Sequence, residues 1–188
     1  MLNILLTIIY HPAIIDVNDN INFSCSHSMD QPMETMCMSF KVCIIGCGDI
    51  ANAAHGPAMK KYVQNHSGAS LTACCDSSLQ RAEAFKTRFG FTRSYTDYRG
   101  MILKEQPNAV LVLVPVHLSA EIAAEVMKLG IPVMMEKPPG MNENEALKII
   151  KTAKDTKVPN AIAFNRRHMP LVKKLKELLD GVEIQSVD

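Results

Sequence analysis

Three short stretches of this 188-residue chain hold residue types that could do chemistry together. The first is Gly46-Cys47-Gly48-Asp49-Ile50-Ala51, a G-x-G-x-x-A pattern. Gly46 permits a tight turn, Gly48 lets the backbone approach a pyrophosphate, and Ala51 is small enough for a following helix to pack closely on a sheet. Asp49 and Ile50 complete the segment that would face the phosphates; Asp49 can equally be a plain cap residue. A helix starting here would offer free N–H groups and a positive dipole end to an anion. The second is Asp76, whose carboxylate could accept hydrogen bonds from ribose hydroxyls. The third is Glu136-Lys137-Pro138, two opposite charges directly after an apolar run. A lysine in such a place can donate a proton or stabilise a developing alkoxide. Each feature also has a plain reading: a Gly-rich turn without ligand, a turn or cap aspartate, a charged start to a surface loop. Their placement on the fold decides between these readings.

That placement is set by an alternation of strand and helix. Val42-Cys43-Ile44-Ile45 is a short apolar run ending at Gly46, and a helix is expected over 49–64. A second buried strand, 71–75, ends at Asp76. Ser78 opens a helix with Leu79, Ala82 and Phe85 on one face and Gly90 as its stop. A short strand around Ser94 and Tyr95 precedes a helix over 97–105. The run 109–114 is apolar on both faces, as a central parallel strand must be. A helix over 118–129, a strand over 131–135, a helix capped by Asn142 and reaching about Ala153, and a strand over 161–164 follow. Leu171, Val172, Leu175, Leu178 and Leu179 mark an amphipathic helix ending at Gly181, and 182–187 starts one more strand. Alternating strands and helices predict an α/β fold: a doubly wound parallel sheet of the Rossmann type with right-handed crossovers. In such sheets ligands lie at the carboxyl ends of strands, where all three stretches fall. The interval from the glycine turn to Asp76 exceeds the usual ~20 residues because Gln64-Asn65-His66-Ser67-Gly68 lengthens the connection.

Composition narrows the function classes. Hydrophobic residues make up 47% and charged residues 21%, so a core can be buried. A net charge of +1, no Trp and 5% aromatics give no basis for nucleic acid or an anionic membrane as partner. The six cysteines contain no C-x-x-C pair and are expected as free thiols, with no metal site. The apolar segment 2–10 is too short to span a bilayer, and a cytoplasmic protein is expected. Residues 1–38 lack any sustained period and are expected to be a disordered or mis-assigned extension.

The chain resembles the Gfo/Idh/MocA oxidoreductases (glucose–fructose oxidoreductase, inositol dehydrogenase and their relatives). Four segments carry the resemblance in order: 42–51 (VCIIGCGDIA), 115–121 (PVHLSAE), 130–138 (GIPVMMEKP) and 163–170 (AFNRRHMP). The resemblance implies a hydride transfer between a nicotinamide cofactor and a secondary alcohol of a sugar, inositol or related polyol. It implies that Lys137 is the catalytic lysine, touching the substrate hydroxyl beside the nicotinamide, and that Glu136 helps place the cofactor. It also implies that Pro115 and His117 lie along the cofactor, and that Asn165 and Arg166 approach nicotinamide and substrate. Many members carry a second histidine where this chain has Ser119. The Asp76 carboxylate should repel a 2′-phosphate, so NAD is favoured over NADP, although Ser77, Ser78 and Arg81 could soften that preference.

The resemblance further implies a second domain that supplies an acidic residue and a histidine to the site. The division expected is 39–164 for the dinucleotide-binding domain and 165–188 for a linking helix and the first stub of the substrate domain. The chain is therefore expected to be a fragment that binds cofactor without turnover, and to form homo-oligomers only with that second domain. A cofactor-binding sensor, or an adenosine binder of the methyltransferase type, are the rival readings; the latter has no use for Glu136-Lys137-Pro138.

Overall fold

A computed structural model of the chain describes residues 39–183. The expected extension over 1–38 and the strand over 182–187 lie wholly or mostly outside the described residues. Six strands build one parallel sheet: β1 (Phe40–Ile45), β2 (Ala69–Cys75), β3 (Arg93–Tyr95), β4 (Ala109–Val112), β5 (Val133–Met135) and β6 (Asn160–Ile162), in the order β3-β2-β1-β4-β5-β6. Between them run α1 (Gly56–Asn65), α2 (Leu79–Phe89), α3 (Tyr98–Glu105), α4 (Val116–Lys128) and α5 (Glu143–Thr156); α6 (Pro170–Leu178) follows β6. The strand order reverses direction at β1, which makes the gap between β1 and β4 the switch point of the sheet.

Side chains alternate across the sheet because successive Cβ atoms point to opposite faces. Val42, Ile44, Leu71, Cys74, Leu111 and Met134 pack with Met59, Tyr62, Phe85 and Phe89 of α1 and α2. Cys43, Ile45, Ala73, Cys75, Val110, Val112, Val133 and Met135 pack with Met101 of α3, Ala123 and Met127 of α4, and Ile149 of α5. Helices thus cover both faces, and the strands are apolar on both sides, as expected of a doubly wound sheet.

Local chemistry explains where the elements begin and end. The Ser78 hydroxyl accepts from the Arg81 N–H at 3.4 Å, and Gly90 closes α2 in the left-handed region at φ 84°. Asp97 accepts from the N–H groups of Arg99 and Gly100, and Asn142 accepts from that of Glu145. Some boundaries differ from the sequence reading. Pro132 has no N–H for the ladder, so β5 opens at Val133 rather than Ile131. Helix α4 starts earlier than expected, at Val116, with Pro115 in front of it as the N-cap. Leu79 lies on the outer face of α2, 58% exposed, and not beside Ala82 and Phe85. The helix after β1 is interrupted: Ala51–His55 forms a π-helical turn before α1.

A network around one buried carboxylate braces the sheet edge. Glu105 closes α3 and is 2% exposed. It accepts from Arg93 Nε and Nη2 at 2.5 Å each and from the Tyr95 hydroxyl, while its backbone carbonyl accepts from Lys41 Nζ. The bonds from Arg93, and then from Tyr95, outweigh burial and hold the Glu105 carboxyl below the usual carboxylate range.

Candidate active site

The glycine turn follows β1. Gly46 has φ 97°, and a Cβ there would lie 2.5 Å from the carbonyl oxygen of Leu113, so the turn passes directly against the backbone beyond β4. Only glycine suits both the backbone angle and the space. At Gly48 the situation is opposite: a Cβ would meet nothing within 4 Å. The turn is therefore closed toward the protein and open toward solvent, the geometry a pyrophosphate needs. Ala51 is fully buried against the sheet, while Asp49 and Ile50 are exposed. Among the described residues Asp49 makes no side-chain hydrogen bond, so it is not acting as a cap.

Two side chains hold this turn. Asn52 donates from its amide to the carbonyls of Cys47 at 2.8 Å and Gly48 at 3.0 Å. Asp76, at the end of β2, accepts from the Cys47 N–H through Oδ2 at 3.0 Å. Its Oδ1 accepts from the Ser78 N–H at 2.9 Å and from Arg81 Nε and Nη2 at 3.0 and 2.7 Å. Burial pushes the Asp76 carboxyl up, but the bonds from Arg81, Ser78 and Cys47 together outweigh it and hold the group below the usual value. Asn52 was not singled out from the sequence, because a polar residue in the first turn of a helix carries no distinctive spacing.

The four described cysteines are buried and free. Burial pushes the thiols of Cys43 and Cys75 up to about 12, and a hydrogen bond with Cys74 together with burial raises that of Cys47. None of these three is a thiolate at neutral pH.

The remaining candidate residues share the same edge of the sheet. Pro115 and His117 stand exposed at the start of α4, after β4. Ser119, one turn further, is buried, and its Oγ has no hydrogen-bond partner among the described residues. Glu136 and Lys137 follow β5, with a cis peptide between Lys137 and Pro138. Asn165 and Arg166 follow β6 in a 3-10 turn, Asn165–His168. Lys137, Ala163, Phe164, Asn165, Arg166 and Arg167 line one cavity of about 560 Å³. Lys137 is exposed there, and its ammonium has no ion-pair partner among the described residues. Among the described residues, no carboxylate or imidazole lines this cavity.

Glu136 is bound on both oxygens. Oε2 accepts from the Lys137 backbone N–H at 3.0 Å, and Oε1 lies 2.6 Å from Nε2 of His55. His55 is 2% exposed and closes the π-helical turn. The sequence reading missed it; the available signal was one polar residue in the otherwise apolar stripe of Ala51, Met59 and Tyr62.

A larger groove of about 680 Å³, lined by Tyr98, Ile102, Leu103, Leu129 and Ile131 among others, sits at the amino ends of β4 and β5. It is remote from the carboxyl edge and plays no part in this site. Among the described residues, no group of three or more His, Cys, Asp or Glu could hold a metal ion, and no helix is long and apolar enough to cross a membrane.

Known proteins share this fold. The D-glucoside 3-dehydrogenase of Escherichia coli is 30% identical over 128 residues, covering 68% of this chain and 35% of its own length. The crystal structure of myo-inositol 2-dehydrogenase from Lactobacillus plantarum superposes with a TM-score of 0.67 at 26% identity, covering 79% of this chain and 43% of the other. A 3-ketoreductase from Actinomadura kijaniata, solved with NADP, gives the same TM-score and identity over 76% of this chain and 42% of its own. The chain thus spans less than half the length of the curated relatives it matches. Residues 40–164 match the family described as "Oxidoreductase family, NAD-binding Rossmann fold", Gfo/Idh/MocA. With its glycine turn, Asp76 and Glu136-Lys137-Pro138 on one sheet edge, this chain belongs to the Gfo/Idh/MocA oxidoreductase family and carries its NAD(P)-binding Rossmann domain.

Proposed function

We propose that this chain holds NAD in preference to NADP, and that the protein it belongs to moves a hydride between the nicotinamide and a secondary alcohol of a sugar, inositol or related polyol. The observation that carries the reading is the convergence of the open Gly48 turn and the unpaired Lys137 on one sheet edge. The relatives named above as acting on glucosides and inositol support the substrate class.

Each residue has a task in this reading. The turn over 46–51 receives the pyrophosphate on backbone N–H groups at a helix start. Asp76 faces the adenosine ribose, and Pro115 and His117 flank the cofactor. Glu136 fixes the backbone of Lys137. The bound nicotinamide supplies the hydride acceptor or donor at its C4 atom. Oxidation of the alcohol also releases the hydroxyl proton. Lys137 orients and polarises that oxygen in its cavity, with Asn165 and Arg166 beside it. Among the described residues, none that lines the cavity can take up the proton as a carboxylate or imidazole would. The base therefore comes from outside this set. That same observation favours a second reading for residues 1–188 taken alone: cofactor binding without turnover.

The test is a titration of the chain with NADH, NADPH and S-adenosylmethionine. Tightest binding is expected for NADH, and tighter binding of S-adenosylmethionine would overturn the assignment. In a longer polypeptide with a substrate domain, Lys137→Ala should lower kcat by about 100-fold or more and leave NADH affinity nearly unchanged. Unchanged turnover would remove Lys137 from the chemistry.

A further inference from the structure

We propose that His55 is a positioning residue that fixes the Glu136 carboxylate on the Lys137 backbone at the nicotinamide end of the site, and away from the lysine ammonium. This inference rests on the reading of the sheet edge as a nicotinamide site.

A carboxylate next to a lysine at a strand end has two easy options. It can turn back to pair with the neighbouring ammonium, or it can extend into water. Glu136 does neither. Its Oε1 is 2.6 Å from His55 Nε2, and its Oε2 accepts from the Lys137 N–H at 3.0 Å. With both oxygens engaged, the carboxylate fixes the Lys137 backbone and has no oxygen turned to the ammonium. A charge-assisted bond of this length is among the stronger ones a side chain makes.

His55 can reach Glu136 because of how the helix is built there. Ala51–His55 is a π-helical turn, closed by the Gly56 N–H on the Ala51 carbonyl. The turn is one residue wider than an α-helical one, and it puts both Ala51 and His55 on the buried side. Such single π turns inside helices recur at functional sites. The next residue locks the arrangement from the far side. A Cβ on Gly56 would lie 2.6 Å from the Phe89 ring of α2, so the helix is pressed against α2 with no room to roll. The imidazole is 2% exposed. A buried polar ring with one specific acidic partner is a costly feature that packing alone does not call for.

The chain itself gives the test. Wild type, His55→Leu and His55→Gln are titrated with NADH and with ADP-ribose, which lacks the nicotinamide. His55→Leu should weaken NADH by about tenfold, the scale of one lost hydrogen bond to a charged group, and change ADP-ribose by less than about twofold. His55→Gln, which keeps a donor in reach, should recover most of the loss. Equal NADH affinity in His55→Leu overturns the proposal, and so does a parallel loss of NADH and ADP-ribose. A wild-type chain that binds neither ligand would instead overturn the underlying cofactor reading. If His55→Leu does not fold, His55→Asn, whose amide is too short to reach Glu136, takes its place, alone and combined with Glu136→Ala: it should weaken NADH by itself and add nothing to the loss in Glu136→Ala, and additive losses overturn the proposal.

Discussion

The carboxyl edge of the sheet has two halves that use their polar groups differently. Around β1 and β2 the site is self-satisfied. Asp76 spends both oxygens on the glycine turn, on Ser78 and on Arg81, and Asn52 ties the same turn from the other side. Around β5 and β6 the site is open. Lys137 has no ion-pair partner among the described residues, Asn165 and Arg166 stand exposed, and α6 buries none of its residues. Leu171, Leu175 and Leu178 on α6 are 77%, 52% and 65% exposed. The first half is preorganised to receive a ligand that needs a fixed cradle. The second half presents charged and apolar groups to solvent. Glu136 belongs to the open half by position but is satisfied like the closed one, and His55 is the reason.

The largest break in this comparison comes from the closed half. Gly46→Ala forces a side chain against the Leu113 carbonyl at a backbone angle of φ 97°. Both faults act together, and the neighbour cannot easily yield, since it is the backbone just beyond β4 rather than a side chain. A loss of about 3 kcal/mol in unfolding free energy is expected, with cofactor binding lost as well. Urea unfolding of the two proteins measures it. A stability change below about 0.5 kcal/mol would mean that the turn is not clamped as described. Gly48→Ala should be almost neutral in the same experiment, because its Cβ has free space, while still impeding a pyrophosphate.

A smaller effect is expected at Asp76 and it depends on pH. Its folded carboxyl lies below the usual range. A depressed folded value means stability that is present above the unfolded value and is lost as pH falls through the folded one. Asp76→Asn keeps the shape and removes the charge. It should cost about 1.5 kcal/mol near neutrality, and the gap between the two proteins should close in acid. Chemical denaturation at pH 7 and at successive steps below pH 4 follows the gap. A constant difference across that range would show that the charge is not what holds the turn. Glu105, also held low, contributes to acid loss in both proteins and cancels in the comparison.

The closed half was legible in the sequence and the open half only in part. A glycine turn needs particular residue types at particular spacings, because backbone angles and close approaches leave little choice. Hence Gly46, Gly48 and Ala51 could be read directly, and the strands around them were readable from unbroken apolar runs. Lys137 was legible through Glu136-Lys137-Pro138 at a strand end. His55 and Asn52 were not. The His55 contact crosses 81 residues to Glu136 and rests on a helix phase shifted by a π turn, neither of which a linear period records, while Asn52 bonds to Cys47 and Gly48 close by, at a spacing that marks nothing in a sequence. The exposure of Leu79 has a similar cause. It stands in the first turn of α2, where the stripe set by Ala82 and Phe85 has already turned away from it.

The finest distinction concerns the cofactor's 2′ position, and it turns on Arg81. Asp76 alone would repel a 2′-phosphate and leave a 2′-hydroxyl unharmed. Arg81 changes that balance, since its guanidinium lies on Asp76 Oδ1 through two nitrogens and also reaches Ser77 Oγ at 3.5 Å. Its side chain is 57% exposed against 8% for Asp76, so the cation, more than the carboxylate, is what an incoming group meets. A 2′-phosphate arriving here would be offered Arg81 and Ser77 in place of a bare anion. Arg81→Ala should therefore cost NADPH more than NADH. The ratio of their dissociation constants should move by about fivefold toward NADH, a modest effect because the pair is screened by solvent. The shift should also shrink as salt rises toward 1 M, where the screening length falls to roughly 3 Å. Parallel fluorescence titrations of both nucleotides at low and high salt read the ratio. An unchanged ratio at low salt would mean that Arg81 serves Asp76 and the turn only, leaving cofactor preference to the carboxylate.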